Sequence, residues 1–333
     1  EQINIEIESS QIVNGQLNLN TNNFDGTINS NNQQWLVQLP HPNENEDEIN
    51  IEIDNQNNEN FAIEIVDGYS EITINSTSVN GAKFDIIPST DSTLKINLDQ
   101  STFASIINAK GEIEINSTQN KQKVKLNQVQ PSSNFKLIVK TPVTIEEVEF
   151  SHSGRTLRIE SYDDINNKVE IKSVIIQQKS EAEIKNAKIK GKVVFGLSSN
   201  LNVDKEVDLS DSILDIPFSD SYSQEIFYKA PIKGYFGSTP NGIEINNRDI
   251  NQILAEERFL IAESLDEFNC EKWREKIEIK ATGTNFNDTK CTNDEINLDR
   301  KIVYRLYTLQ KKQEDKGGKK LKPAEIAGIV IAA

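Results

Sequence analysis

The chain is predicted to be mainly β, a right-handed parallel β-helix followed by a small α+β domain, and three observations predict it. Apolar and polar residues alternate in short runs from Ile3 to about Ile216, the period of half-buried strands. Run starts fall near positions 49, 61, 71, 83, 94, 112, 124, 135, 143, 156, 169, 182 and 193, mostly 10 to 13 residues apart. Near-copies recur: EITINSTSVN at Glu71 and EIEINSTQNK at Glu112 lie 41 residues apart. Stacked coils of roughly 20 residues, with two or three short strands each and Asn or Ser at the corners, produce all three features. Tandem β-sandwiches are the alternative, since their strands also recur every ~8 to 12 residues. The hairpin signals they need are Asn14-Gly15, Asp25-Gly26, Asp67-Gly68 and Asn80-Gly81, all in the first hundred residues.

Taken in order, INIEI opens the chain, and QLNLN, INIEI from Ile49, FAIEI and EITIN follow. LKINL, EIEIN, VKL, FKLIV, VTI and TLRIE continue the pattern. Ile and Val are stiff at χ1 and favour extended backbone. Val169 to Ile216 steps from one apolar pair to the next in short, even strands, which suits stacked coils. About ten coils at 4.8 Å give a rod of roughly 50 Å. The solenoid is assigned to residues 1–216. A capping domain is assigned to 217–310, where Phe218, Tyr222, Phe227, Tyr228, Pro231, Tyr235, Phe236 and Pro240 concentrate. They read as a plug over the open end of the last coil, or alternatively as a recognition surface. RDINQILAEERFLIAESLDEF reads as a helix, with Ile250, Ile253, Leu254, Leu260 and Ile261 on one face. REKIEIKA and KIVYRLYTL read as strands.

The charge balance limits function. With 52 acidic against 36 basic residues, the net charge is −16, which disfavours nucleic acid as a partner. Cys270 and Cys291 enclose a short segment and are expected to form a disulfide; the alternative is two free thiols. With His41 and His152 scattered far from them, a Cys/His zinc site is not expected, and no cofactor is called for. Asn75, Asn116 and Asn287 stand in N-x-S/T sequons, candidates for glycosylation. The chain has no Met and opens at Glu1 inside a strand pattern, read as the product of signal-peptide removal.

The last stretch, GGKKLKPAEIAGIVIAA, turns basic and then apolar. Residues 311–323 read as a flexible Lys-rich linker. Residues 324–333 read as the start of a transmembrane segment, since eight apolar or small residues fall short of the ~20 needed to span. A lipid-anchor signal or a packed terminal strand or helix are the alternatives. The ending KLKPAEIAGIVIAA, with the Asn- and Ile-rich strand repeats, resembles single-pass surface proteins of parasitic protists, of trichomonad type. The resemblance implies an adhesin-like ectodomain on the cell surface, on the extracellular face of the plasma membrane. Its partner would be a cell-surface protein or glycan on a host or neighbouring cell. Trp35, in QQWLVQLPHP, is the candidate ligand contact; its alternative role is to cap the first coil.

A β-helix also resembles the fold of pectin-degrading lyases and glycoside hydrolases, which use clustered carboxylates. The candidates here are Asp163 with Asp164, the set Asp204, Asp208, Asp211 and Asp215, and His152 with Arg155. None has diagnostic spacing, and 52 acidic residues place many carboxylates close together on any solvated face. The chain is read as a non-enzyme, with a carbohydrate-active enzyme and a structural coat antigen as alternatives. The run NENEDE at Asn43–Glu48 reads as a solvated loop.

Overall fold

A computed structural model describes the elements below and the connections within 123–161, 169–217, 230–246 and 258–280. The strands are β1 (Gln16–Asn18), β2 (Asp25–Asn29), β3 (Trp35–Gln38), β4 (Glu48–Asp54), β5 (Asn60–Ile65), β6 (Glu71–Ser76), β7 (Ala82–Pro88) and β8 (Thr93–Leu98). Next come β9 (Thr102–Ser117), β10 (Val124–Val139), β11 (Val143–Glu149), β12 (Thr156–Ser161), β13 (Val169–Ile176), β14 (Glu181–Lys185), β15 (Ala187–Phe195), β16 (Asn200–Val203) and β17 (Ile213–Pro217). The chain continues through β18 (Ile232–Gly234), β19 (Gly242–Asn246), β20 (Arg258–Ser264), α1 (Cys270–Arg274), β21 (Ile277–Lys280), β22 (Phe286–Ile296) and β23 (Lys301–Gln310).

These strands form a parallel β-solenoid, with about 5 turns between residues 93 and 215. Two parallel ladders run along it. One goes through β1, β3, β5, β7, the first part of β9 and of β10, β11, β13, β15, β17, β19 and β21. The other goes through β2, β4, β6, β8, the second part of β9 and of β10, β12, β14, β16, β18 and β20. A sandwich of hairpins would pair consecutive strands antiparallel, whereas the pairing here is parallel. Here Val124 lies against Val143 and Val169 against Ala187, one coil of about 20 residues further on.

The alternation places every second residue inside. In β10, Val124, Leu126, Val129, Phe135, Leu137 and Val139 are buried. Each inward residue then stacks on its counterpart in the next coil. One register column runs Leu17, Val37, Ile63, Ile86, Ile106, Val129, Val148, Val174, Val193, Leu214, Ile243, Ile277. At about 4.8 Å a step this column extends roughly 50 Å. Burying one Val or Ile side chain is worth about 1.5–3 kcal/mol, so the columns dominate the stability of the rod.

Corners are set by serine, asparagine and glycine. Ser132 Oγ donates to the Asn108 carbonyl at 2.8 Å, and Ser151 Oγ to the Pro131 carbonyl at 2.8 Å. Ser199 Oγ and Ser212 Oγ close their own turns at 2.9 and 2.7 Å. Ser180, Ser199 and Ser212 are fully buried, so each hydroxyl satisfies a carbonyl that no ladder reaches. Between Ile171 and Ser173 the register slips, and the extra residue in β15 is at Gly191. A Cβ there would lie 1.7 Å from the Lys172 carbonyl oxygen. Only glycine admits this close approach.

Two expectations need correction. Parallel pairing does not stop at residue 217: β17 pairs with β19 and β16 with β18, and the ladders continue to β20 and β21. The described part of the expected helix at 248–268 contains a strand, β20. Phe259, Leu260, Ile261 and Ala262 are all buried, because Phe259, Ile261 and Ala262 join the main core while Leu260 packs with Ala230 and Tyr307 in a second cluster. An unbroken apolar run of this kind fits a doubly covered strand as well as a helix face. Residues 247–257 lie outside the described set. α1, with five residues, is the one helix among the described residues.

The end of the solenoid is closed by the β22–β23 hairpin and by α1. Asn269 caps α1, its Oδ1 accepting from the Lys272 N–H at 3.0 Å. Trp273 is buried and packs on Phe236 and Phe268, with ring centroids 4.5 and 5.4 Å away. Phe236 thus belongs to an aromatic plug, whereas Phe218, Tyr222, Phe227 and Tyr228 lie outside the described residues. Cys270 in α1 and Cys291 in β22 form a disulfide, with Cα atoms 5.9 Å apart.

Two stability measurements check this account. Gly191→Ala is expected to lose about 1–3 kcal/mol in urea unfolding. Gly242→Ala, whose Cβ meets Ile213 at 3.9 Å, serves as the control and should change little. Replacing both cysteines by serine opens a link with a sequence separation of 21. It is expected to cost about 3 kcal/mol, read as a lowered thermal midpoint that added reductant no longer affects.

Candidate ligand cleft on the charged face

The outward residues of the second ladder also stack in columns. One runs Thr93, Glu112, Lys136, Arg158, Glu183, Asn202, Lys233, Glu263, and the antiparallel β23 adds Arg305. Opposite charges on adjacent rungs attract, and like charges repel. Lys136 and Arg158 are the point in this column where two cations stand on neighbouring rungs.

Carboxylates surround that pair. Lys136 Nζ lies 3.1 Å from Glu112 and 3.5 Å from Glu160. Arg158 Nε lies 2.9 Å from Glu183. Lys185 bridges Glu160 at 3.0 Å and Glu183 at 3.1 Å. The result is a continuous chain of three cations and three carboxylates across four successive rungs, β9, β10, β12 and β14. Exposed pairs of this kind stabilise by about 0–1 kcal/mol each, so their larger effect is on register and on local potential.

An open cleft of about 370 Å³ lies in this face, lined by Gly111, Asn134, Phe135, Lys136, Thr156 and Arg158. Its shape follows from corners of unequal length. Between paired rungs, β9 goes from Ala109 to Gly111 while β10 goes from Pro131 to Phe135. The β10 corner therefore juts out, and Gly111, at φ +68°, leaves no side chain to fill the step. Asn134 Oδ1 accepts the Thr156 N–H at 3.1 Å, which fixes the corner against the next coil. The buried Phe135 side chain supports the floor.

The other ladder carries its own rails. Lys125, Glu146 and Lys172 are linked at 3.2 and 2.9 Å. Lys123, Glu170 and Lys190 are linked at 3.5 and 2.9 Å. Near the far end, Asp215 and Glu244 are register partners of like charge, and Lys192 contacts both, at 2.8 and 3.5 Å. Lys280 adds a contact to Glu244 at 2.8 Å, and Asn246 Nδ2 donates to Asp215. Lys172 holds the Glu146 carboxyl below the usual glutamate range, Lys190 does so for Glu170, and Lys280 for Glu244. For Glu160, burial pushes upward, but Lys185 and Lys136 outweigh it and the net direction is down. Asp215 and Glu160 raise the ammonium pKa of Lys192 and Lys185 respectively.

The candidate carboxylates of the enzyme alternative each have partners in the structure. Asp204 accepts backbone N–H groups of Asn186 and Glu206 and holds a turn. Asp208 and Asp211 share Lys188, at 3.4 and 2.8 Å. Asp215 pairs instead with Lys192, at 2.8 Å. His152 is exposed, its Nδ1 2.9 Å from Ser151 Oγ; the backbone N–H of Arg155 donates to Ser180 Oγ at 3.1 Å. Among the described residues, no group of three His, Cys, Asp or Glu side chains could hold a metal. Trp35 is in β3, in register with Phe61; its side chain is outside the described set. Asn116 lies on β9, where its Nδ2 donates to Glu114 at 3.0 Å. Asn75 and Asn287 are strand residues whose side chains are not described. Asp163, Asp164, residues 43–47 of the NENEDE run and the tail from 311 lie outside the described residues, while Glu48 opens β4. No described helix is long and apolar enough to cross a membrane.

The cleft residues carry no sequence signal of their own, because Gly111, Asn134 and Thr156 meet only through the coil repeat. No protein-family model, no curated protein and no solved structure matches the chain.

The rails predict an asymmetric pH profile. The depressed glutamates contribute stability above their unfolded value, ordinarily 4.5, and lose it as pH falls through the lower folded value. The raised lysines contribute below 10.5 and lose that contribution only as pH rises beyond it. Urea midpoints should therefore be flat from above 4.5 to about 10 and fall on further acidification. Lys172→Gln with Lys190→Gln should weaken the acid-side fall, because Glu146 and Glu170 would then titrate nearer their unfolded value.

Proposed function

We propose that this chain is the extracellular part of a single-pass surface protein that recognises a host or neighbouring cell surface. The observation that carries the reading is the long regular stack, closed at its end by a disulfide-pinned hairpin. A disulfide fits an oxidising, extracellular compartment. A rod of stacked coils carries a side face well away from its own end, as recognition at a distance requires. Residues 324–333, as the start of a transmembrane segment, would hold the rod at the membrane. The three sequons fit the same route of export.

Recognition fits the surface chemistry better than hydrolysis does. Asp208, Asp211 and Asp215 are each tied to a lysine, and Asp204 to a turn. Acid–base catalysis needs paired carboxylates at a common substrate.

The test is direct. Fluorescently labelled purified chain should bind intact cells saturably in flow cytometry, and heat-unfolded chain should not. Absence of saturable binding to host, sibling and unrelated cell types would overturn the reading.

A further inference from the structure

Within that recognition reading, on which this inference rests, we propose that the cleft lined by Gly111, Asn134, Lys136, Thr156 and Arg158 binds a neutral oligosaccharide. The argument begins with charge. Each cation at the cleft already has a carboxylate: Lys136 has Glu112 and Glu160, and Arg158 has Glu183. An anionic ligand would have to displace one of them and would meet the repulsion of the rest. A sugar hydroxyl faces no such conflict, since it accepts from a cation and donates to a carboxylate at once.

Geometry adds to this. Arg158 meets Glu183 through Nε, and its side chain is 56% exposed. A guanidinium held there still carries the N–H groups of its two terminal nitrogens. The Thr156 hydroxyl can both donate and accept. Lys136 and Arg158 thus offer donors on adjacent rungs, about 4.8 Å apart, with the Thr156 hydroxyl beside them as donor or acceptor; that spacing is close to the length of one pyranose ring in a chain. Gly111 leaves the step open, and the buried Phe135 stiffens its floor. The mixed, already neutralised set selects a polyhydroxylated ligand over a charged one.

Three variants test this. Thr156→Val removes a hydroxyl at constant shape. Arg158→Gln removes the fork. Gly111→Asn fills the step with a residue that tolerates positive φ. Circular dichroism and thermal melts identify which variants are folded, and any one of the three is enough for the comparison. An array of neutral gluco-, manno-, galacto- and xylo-oligosaccharides is probed, with heparin-derived sulfated oligosaccharides alongside. The chain should retain at least one neutral series, and each folded variant should bind it at least about tenfold more weakly. Failure to bind any neutral series overturns the proposal. So does preference for the sulfated probes, or unchanged binding by the folded variants. Cell binding is then repeated with Arg158→Gln. If cells bind it as well as the parent chain, the recognition reading stands and the cleft proposal falls. Loss of cell binding in step with loss of sugar binding supports both.

Discussion

Stacking of like on like, one coil above the next, is the constraint from which the rest of this structure follows. A parallel ladder sets each residue beside its counterpart one coil later. Inward positions must therefore be apolar in every coil, and of compatible size. Val129, Val148, Val174 and Val193 meet that demand in succession, and Leu214 with Ile243 continue it. Because side chains alternate between faces with period two, a slip of one residue would turn every buried Ile or Val to solvent. The columns thus specify register and supply the burial energy together.

The same rule makes the outer face a problem of charge. A run of identical ions in one column would repel along its length. The chain answers by alternating, as in the column Lys125, Thr144, Glu170, Lys188. Where it fails to alternate, it recruits neighbours from the next column. Asp215 beside Glu244 is bridged by Lys192, and Lys136 beside Arg158 gains Glu160 in addition to Glu112 and Glu183 of their own column. Near the end, Glu263 is held between Lys233 and Arg305, at 3.5 and 3.2 Å. Glu263 and Arg305 are both largely buried there, so loss of one partner would leave a desolvated charge.

Much of the fold is legible in the sequence because period-two alternation with a recurring spacing has few solutions. Strands from INIEI at Ile49 to KVVF at Lys192 are read from it directly, and the parallel pairing excludes sandwiches. The helix reading of 248–268 fails at Arg258–Ser264 for a physical reason. Phe259 to Ala262 are covered on both faces, and such a run loses the alternation that marks a strand. The boundary at 217 misleads because a change of composition looks like a change of fold. The rungs continue past it: Ile213 pairs with Gly242, and Ile243 with Ile277. The cleft is not legible at all. It arises where Gly111, Asn134 and Thr156 meet across coils, and its depth depends on one corner being longer than the one below it.

A parallel stack has no internal reason to stop, since its last rung offers a fresh edge. This chain ends its second ladder by reversing direction. β20 receives β23 antiparallel, and β22 follows, so the next coil has no rung in the right sense to join. Among the described residues the first ladder ends differently, at β21, where Glu278 and Lys280 place charge on the edge. α1 then lays Trp273 against Phe236 and Phe268, covering the apolar column that the last coil leaves open, and the disulfide fixes helix to hairpin. These devices leave the end committed to closure. The rungs of Lys136 and Arg158 lie well inside the stack, clamped by coils above and below. A polar cleft whose ion pairs must keep their geometry without a ligand is best placed there, because only an interior rung is held from both sides.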